Sequence, residues 1–274
     1  MLPPGWYPAD REELLELLRE FELQAARFVE PGRAHSVIVP HAGWTFSGRL
    51  AYATLRCLPS NLECVAVVGG HLTAGDTPLA AEEEGFETPL GVIGSAHELR
   101  EALAARFTLV ADHEADNSVE VQLPLLKYFL PDARVAYLRA PPDEQALQLA
   151  EALAEFSQRI GGRLAVVGST DLTHYGAGFG FTTHGPADEA VEWVKQSNDR
   201  RVIDPLLRLD ARAAIDAAAR HRSACSMGAG ACAAHYARLL GAGSGRLVGY
   251  YTSYDVMPGE VVVGYAGIAF EDPR

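Results

Sequence analysis

The sequence predicts an α/β fold, in which a central, largely parallel or mixed β-sheet is flanked by helices and closed by a C-terminal antiparallel hairpin. Three short apolar runs, at 37–39, 65–68 and 164–167, are bounded by Gly or Pro and are typical of buried strands. Segments with helical periodicity alternate with these runs, and such alternation favours a mainly parallel sheet. Two further apolar runs close the chain and predict the hairpin.

The elements of the first half follow from local patterns. Asp10 and Glu13 form a capping box for a first helix, whose apolar face includes Leu14, Leu18 and Phe21. The predicted elements that follow are a strand ending before His41, a helix at 48–58, a strand at 63–69, an acidic loop with a short strand at 75–91, a helix capped by Ser95 and Glu98 and running to Phe107, a helix at 118–128, and a strand at 135–138.

The second half continues the alternation. The pattern predicts a long amphipathic helix at 143–160, then the strand at 164–167, then a helical region at 186–220. Cys225 opens a Gly- and Ala-rich helix that runs to about Leu240. The hairpin strands are at 246–252 and 261–270, separated by the turn signal Met257-Pro258-Gly259. With no internal repeat and no linker, we expect a single α/β domain over residues 1–274.

Composition narrows the classes of function. The chain has 274 residues, 48% of them hydrophobic, and a formal net charge of -13 at pH 7. Without a basic patch for phosphate groups, nucleic-acid binding is not expected. No apolar run reaches the length of a membrane span, and the first residues lack the charged and apolar regions of a signal peptide. The four cysteines lack a disulfide spacing, so reduced thiols and a cytoplasmic location are predicted.

Side chains that bind metals or transfer protons follow the predicted strands. His41 comes directly after the first strand, His71 after the second, and Asp171 with His174 after the third. Since ligands bind beyond the carboxyl ends of parallel strands, these side chains are expected to converge there. His41 and His71 are candidate metal ligands, and Asp171 can ligate, orient an imidazole or act as a base. The alternatives are a hydrogen-bonded core histidine at 41 and an Asx turn at 171.

Cys225 is the candidate third ligand. It stands at a predicted helix N-terminus, where the helix dipole favours the thiolate that binds a metal or attacks an electrophile. An inert buried thiol is the alternative, and it is the preferred interpretation for Cys57, Cys64 and Cys232. Glu120 lies early in a predicted helix. It is a candidate for the site only if the start of that helix faces the crevice beyond the carboxyl ends of the strands. The remaining histidines are interpreted as surface or packing residues, and they are His35, His97, His113, His184, His221 and His235.

A series of short motifs resembles the Memo family, whose prokaryotic members are often named AmmeMemoRadiSam system protein B. The likeness extends over nearly the whole chain, and only the ordered set is specific. The motifs are Gly5-Trp-Tyr-Pro8, Pro40-His-Ala-Gly-Trp44 with Ser47-Gly48, Thr88-Pro-Leu-Gly91, Ser118-Val-Glu-Val-Gln-Leu-Pro124, Gly168-Ser-Thr-Asp-Leu-Thr-His-Tyr-Gly176, Tyr251-Thr-Ser253 with Asp255, and Val263-Gly-Tyr-Ala266.

The resemblance implies the fold of the LigB-type class III extradiol dioxygenases, which hold iron(II) through two histidines and a glutamate. Memo proteins are similar to that scaffold with a cysteine in place of the carboxylate, and iron and copper are both associated with the family. By position, His41 and Cys225 match family ligands, and Asp171 with His174 match a nearby polar pair. Glu120, Trp44 and Tyr175 are expected behind or beside these residues.

This chain departs from the family pattern in three places. A Gly-Pro-x-His-His stretch is replaced by Gly69-Gly-His71-Leu-Thr-Ala, which leaves His71 as the one candidate ligand there. A Glu-His-Ser stretch is replaced by Asp116-Asn117-Ser118, which removes another imidazole. Ser-Met-Gly follows Cys225 instead of a turn with Gly and Pro. A minimal set of two histidines and one cysteine is left.

Three functions are compatible with these residues. The first is a redox protein with a mononuclear site of His41, His71 and Cys225, holding iron(II) by preference, with copper and zinc as alternatives, in which His174 acts as acid or base and Asp171 orients it. The second is a binding or scaffold protein that uses the crevice for a peptide. The third is a ring-cleaving extradiol dioxygenase, which requires Asp171 or Glu120 as the third ligand. The substrate is an unknown small molecule or peptide, and the prokaryotic family name suggests a radical-SAM partner.

Overall fold

The computed structural model describes residues 2–25 and 32–272, and it has the mixed α/β architecture that the sequence predicts. The helices are α1 (Arg11–Ala25), α2 (Trp44–Leu55), α3 (His97–Ala104), α4 (Asn117–Glu120), α5 (Leu123–Phe129), α6 (Glu144–Arg159), α7 (Ala187–Trp193), α8 (Arg200–Leu207), α9 (Ala211–His221), α10 (Met227–Leu239) and α11 (Ser253–Val256). A 3₁₀ turn covers Ala177–Phe179, and a π-helical turn covers Val194–Asn198. The strands are β1 (Ala34–Val39), β2 (Cys64–Gly69), β3 (Leu79–Ala80), β4 (Gly85–Phe86), β5 (Ile93–Gly94), β6 (Val110–Ala111), β7 (Arg134–Arg139), β8 (Leu164–Ser169), β9 (His174–Gly176), β10 (Ser244–Thr252) and β11 (Val261–Glu271).

The main sheet has a parallel centre and antiparallel edges. Its strand order is β10-β11-β1-β8-β2-β7-β3-β6. Strands β1, β8, β2 and β7 are parallel neighbours, whereas β11 pairs antiparallel with both β1 and β10. The predicted C-terminal hairpin is therefore confirmed, and it extends the parallel centre on the side of β1. The relation to LigB-type enzymes stays a prediction.

Apolar residues cover both faces of the central strands, which explains why these strands read as continuous hydrophobic runs. Along β1, Val37 and Val39 pack on the side of α1, α2 and α5, while Ile38 packs on the side of α6 and α10. The same alternation continues in β8, where Ala165 and Val167 face the first layer. Each fully buried Val or Ile contributes roughly 1.5–3 kcal/mol, so both layers fix the strand register.

Helix α10 packs unusually close to the sheet. A Cβ atom at Gly168 would lie 2.5 Å from the carbonyl oxygen of Ala229, and one at Gly228 would lie 2.3 Å from that of Ala140. Such contacts need glycine, because any side chain would overlap a backbone carbonyl. The close packing brings the N-terminal end of α10, and Cys225 just before it, to the carboxyl ends of the parallel strands.

Three local predictions need correction. The helix predicted at 118–128 is broken into α4 and α5, because Pro124 has no N–H to continue a helix but is favoured in a first turn. Helix α3 begins after Ala96, and Ser95 instead forms a β-bridge with Val135. His174 lies in the short strand β9, which was absent from the predicted elements, because it pairs with Val263 of the distant strand β11.

Within residues 2–25 and 32–272, no helix is both long and apolar enough to cross a bilayer.

Candidate metal centre

The site begins where three parallel strands end. Strands β1, β8 and β2 finish at Val39, Ser169 and Gly69 and are neighbours in that order. His41, Asp171 and His71 each follow their strand by two residues. Parallel strands deliver their carboxyl ends to the same edge, and the structure brings these side chains together there.

Three donor atoms form a cluster. The Sγ atom of Cys225 lies 3.2 Å from Nε2 of His41, and one ligand atom from each of His41, His71 and Cys225 lies within 4.8 Å of the other two. Donor atoms in a tetrahedral site with bonds of about 2.0–2.3 Å lie roughly 3.5 Å apart. The three donor atoms are therefore close enough that small side-chain movements could bring them onto a single metal ion.

Hydrogen bonds from the backbone hold Cys225 against the loop that follows β8. The N–H of Cys225 donates to the carbonyl of Asp171 over 3.2 Å, and the N–H of Ser226 donates to Oγ1 of Thr170 over 3.2 Å. Helix α10 begins at Met227 with Ser226 as its N-cap, so the thiol precedes the first turn. A residue from the C-terminal third of the chain is thereby fixed beside His41.

His41 is held through both its backbone and its ring. Its residue exposure is only 2%, and its N–H donates to Oδ1 of Asp171 over 2.7 Å. Nδ1 lies 3.3 Å from Oγ of Ser169, which also accepts a hydrogen bond from Nε2 of Gln122 over 3.1 Å. These contacts occupy the Nδ1 side of the ring and leave Nε2 facing Sγ of Cys225.

His71 occupies an uncommon backbone conformation. Its φ is +61°, in the left-handed region that non-glycine residues rarely adopt. Nδ1 lies 3.0 Å from Oδ2 of Asp116. The two preceding glycines have no room for a side chain, since a Cβ at Gly69 would lie 2.2 Å from Oγ of Ser118 and one at Gly70 would lie 2.3 Å from Cβ of Ser226.

The electrostatics of the cluster favour a thiolate. Burial acts to raise the pKa of the Cys225 thiol, but the imidazoles of His41 and His71 hold that pKa well below its ordinary value. For His41, burial acts to lower the pKa of the imidazole. The charges of Cys225 and Asp171 outweigh this effect and raise that pKa to about 9. The hydrogen bond to Asp116, followed by that to Cys225, raises the pKa of His71 to about 10. A bound metal ion would take the place of the shared protons.

A cavity of about 330 Å³ opens beside the cluster. Its lining residues are Trp6, His41, Ala42, Gly43, His71, Asn117, Asp171, His174, Val263 and Tyr265. A larger cavity, of about 620 Å³, lies against α2 and β10, and no imidazole or thiol is among its described lining residues. The candidate functional groups therefore line the smaller cavity.

His174 and Asp171 lie on the wall of this cavity. Nδ1 of His174 lies 3.1 Å from the carbonyl of Leu172, which can only accept, so the proton of the neutral ring is on Nδ1 and Nε2 is able to accept. Oδ2 of Asp171 lies 4.0 Å from Nε2 of His41. Burial raises the pKa of the Asp171 carboxyl. The geometry gives the cavity a proton acceptor and a buried carboxylate.

The three supporting residues named from the sequence lie farther into the fold. Nε1 of Trp44 donates to the carbonyl of Val121 over 3.1 Å, and the hydroxyl of Tyr175 donates to that of Gly185 over 2.7 Å. Glu120 accepts from the hydroxyl of Tyr7 over 3.0 Å and lines a neighbouring cavity of about 250 Å³. Their expected influence on the cluster stays a prediction.

Four residues near the site were not predicted to have a role. They are Ser169 and Gln122 behind His41, and Asp116 with Arg139 behind His71. The sequence does indicate a role for Arg139, because an arginine at the end of a buried strand needs buried carboxylate partners. The sequence distinguishes Asp116 only as part of a stretch that departs from a family motif. Its role depends on a contact across 45 residues that no local pattern reveals.

Comparison with known proteins places the chain in a family. The family described as Memo-like protein matches residues 4–269. A MEMO1 family protein of Archaeoglobus fulgidus is 33% identical over 97% of this chain and 96% of its own length. A MEMO1 family protein of Thermococcus kodakarensis is 32% identical over 97% of this chain and 96% of its own length. The match covers all three strand ends and the cysteine, and the chain belongs to the Memo family.

Proposed function

We propose that this protein is a redox-active metalloprotein with one ion bound by His41, His71 and Cys225. The observation that carries the proposal is the convergence of two imidazoles and a thiol, within 4.8 Å of one another, beside a cavity. The three ligands come from three separate segments, and each ligand is fixed by its own hydrogen bonds. Side chains meeting by chance in a surface loop lack such support.

The donor set suits iron(II), copper or zinc, and we place iron(II) first because of the resemblance to iron-binding family members. Imidazole suits all three metals, and a soft thiolate disfavours magnesium and calcium. A bound iron or copper ion would supply one-electron or oxygen-dependent chemistry. Three protein ligands leave coordination positions for a substrate, as catalytic metal sites require. The volume of about 330 Å³ suits a small molecule or the side chain of a peptide.

The residues of this chain supply positioning and a place for a proton. His174 accepts a proton at Nε2, because Leu172 holds the other ring proton in place. Asp171 fixes the backbone of His41 through its 2.7 Å hydrogen bond. The rings of Trp6 and Tyr265 contribute, with Val263, to the apolar part of the cavity wall.

The first test is metal content by mass spectrometry on protein purified without oxygen. We expect near-stoichiometric iron or copper in the wild type, and its loss in His41→Ala and in Cys225→Ala. Cys232→Ala is the matched control, since it removes a buried thiol from α10 without touching the cluster. Wild-type protein that stays free of metal after reconstitution would refute the proposal, and it would favour the scaffold function in which the cavity binds a peptide.

One observation keeps the extradiol dioxygenase as a second candidate. Oδ2 of Asp171 is 4.0 Å from Nε2 of His41, so a carboxylate lies near the ligand atoms. Glu120 is the weaker choice, because it lines the neighbouring cavity. Unchanged metal content in Asp171→Asn would remove this candidate, whereas ring cleavage of catechols by the wild type and not by Asp171→Asn would support it.

A further inference from the structure

We propose that Asp116, held by Arg139, is a positioning residue that sets His71 as an Nε2 ligand. This inference rests on the proposed metal site and adds to it a charged relay from β7 to the metal ligand. The relay runs from the guanidinium of Arg139 to the carboxylate of Asp116 and on to the ring of His71.

Both oxygens of Asp116 are engaged. Oδ2 lies 3.0 Å from Nδ1 of His71 and accepts from a terminal nitrogen of Arg139 over 3.0 Å. Oδ1 accepts from the N–H of Ser118 over 2.9 Å and from the hydroxyl of the same serine. A carboxylate only accepts, so Nδ1 of His71 carries the proton and Nε2 is left for the metal.

The relay is anchored in the core. Only 6% of the Arg139 side chain is exposed, and its guanidinium also forms a two-point ion pair with Asp112, at 2.7 and 2.8 Å. The hydroxyl of Tyr137 accepts from the N–H of Asp116 over 2.7 Å, which fixes the backbone of the relay residue. An arginine held by planar ion pairs has little freedom to move, so Asp116 presents one fixed face to His71.

His71 needs this support more than His41 does. Its side chain is 35% exposed, whereas that of His41 is 2% exposed. It also follows two glycines and has a left-handed φ of +61°, a strained conformation that persists where the surroundings enforce it. A single exposed imidazole is therefore oriented from behind by a buried carboxylate.

The test measures Co²⁺ affinity and the optical spectrum of the Co²⁺ protein. In Asp116→Asn the amide nitrogen must face at least one hydrogen-bond donor, so we expect about 10- to 100-fold weaker Co²⁺ binding. The thiolate-to-cobalt absorption from Cys225 should persist while the ligand-field bands shift. Glu114→Gln is the matched control: Glu114 bonds the same Arg139 over 3.0 Å, but its side chain is 76% exposed, and the affinity should not change.

A double-mutant comparison separates positioning from general stability. If Asp116 acts through His71, the loss caused by Asp116→Asn disappears in a His71→Ala background. An equal loss in both backgrounds overturns the inference, and so does an unchanged affinity in the single variant. Asp116→Glu keeps a carboxylate, and its Co²⁺ affinity should lie between that of the wild type and that of Asp116→Asn. A Co²⁺ affinity no higher than that of Asp116→Asn contradicts the role of charge. A wild type that binds no Co²⁺ instead refutes the metal site itself.

Discussion

Asp199 provides a quantitative test of how the polar interior behaves. It lies between the π-helical turn and α8 and has no exposed surface. Its Oδ1 accepts from the N–H of Thr173 over 3.0 Å and from the hydroxyl of the same residue, and its Oδ2 accepts from the hydroxyl of Tyr250 over 2.7 Å. The carboxylate thus ties the loop between Asp171 and His174 to strand β10.

The magnitude follows from the pKa. Burial raises the pKa of Asp199 from 3.8 to about 6, against the opposing effect of its hydrogen bonds and of His174. The folded state therefore holds the proton more tightly than the unfolded state does. The stability from this group is fully present below pH 3.8 and is lost as the pH rises through about 6. A difference of about two pKa units corresponds to about 3 kcal/mol.

Asp199→Asn removes this dependence and keeps the hydrogen bonds. The amide oxygen can accept from Thr173, and the amide N–H can donate to Tyr250 after its hydroxyl turns. We expect the free energy of unfolding of the variant, minus that of the wild type, to rise by about 2.5 kcal/mol between pH 4 and pH 7.5, because at pH 4 the unfolded carboxyl is already partly ionised. Urea unfolding at several pH values measures this difference. Asp204→Asn is the control, because the side chain of Asp204 is half-exposed. A difference that does not change with pH would show that Asp199 is already ionised at low pH and refute the reasoning.

Other predictions follow from the packing and the charges. Gly168→Ala should lower the free energy of unfolding by at least 1–3 kcal/mol, because its Cβ would lie 2.5 Å from the carbonyl of Ala229, and a chemical denaturation curve measures this loss. Arg139→Ala should cost about 3–5 kcal/mol by the same assay, since it leaves Asp112 buried without its ion pair; a change below 1 kcal/mol would contradict that value. In metal-free protein, iodoacetamide at neutral pH should modify Cys225 before the three buried cysteines, whose pKa values burial raises, and peptide mass spectrometry would detect any other order.

The buried strands were predictable because their signal is local. Residues 65–68 and 164–167 are apolar on both faces and bounded by polar or glycine residues, so the strand limits were placed within about two residues. Strand β9 was missed, because three residues form a strand only through their partner β11, nearly 90 positions away. The break between α4 and α5 had a visible cause in Pro124, which was interpreted as part of one helix.

The site was predictable to the extent that one geometric rule applies to it. His41, His71 and Asp171 follow parallel strands, and the rule places them together without knowledge of any contact. Cys225 does not follow a strand, and its position depends on the close approach of α10 to Gly168. The carboxylate behind His71 comes from the loop before α4, whose path is set by Arg139 and Tyr137. Such second partners depend on tertiary structure, and the sequence alone did not reveal them.

The strand order has a consequence for biosynthesis. His41 and His71 are made early, but Cys225 is the last ligand to leave the ribosome, and β11, the neighbour of β1, follows it. While β11 is still missing, the edge of β1 has no partner. Two imidazoles alone form an incomplete site, and closing the long chain segment between His71 and Cys225 carries an entropic cost that the finished sheet offsets. Loading of the proposed site with metal is therefore expected to be a late, post-translational step.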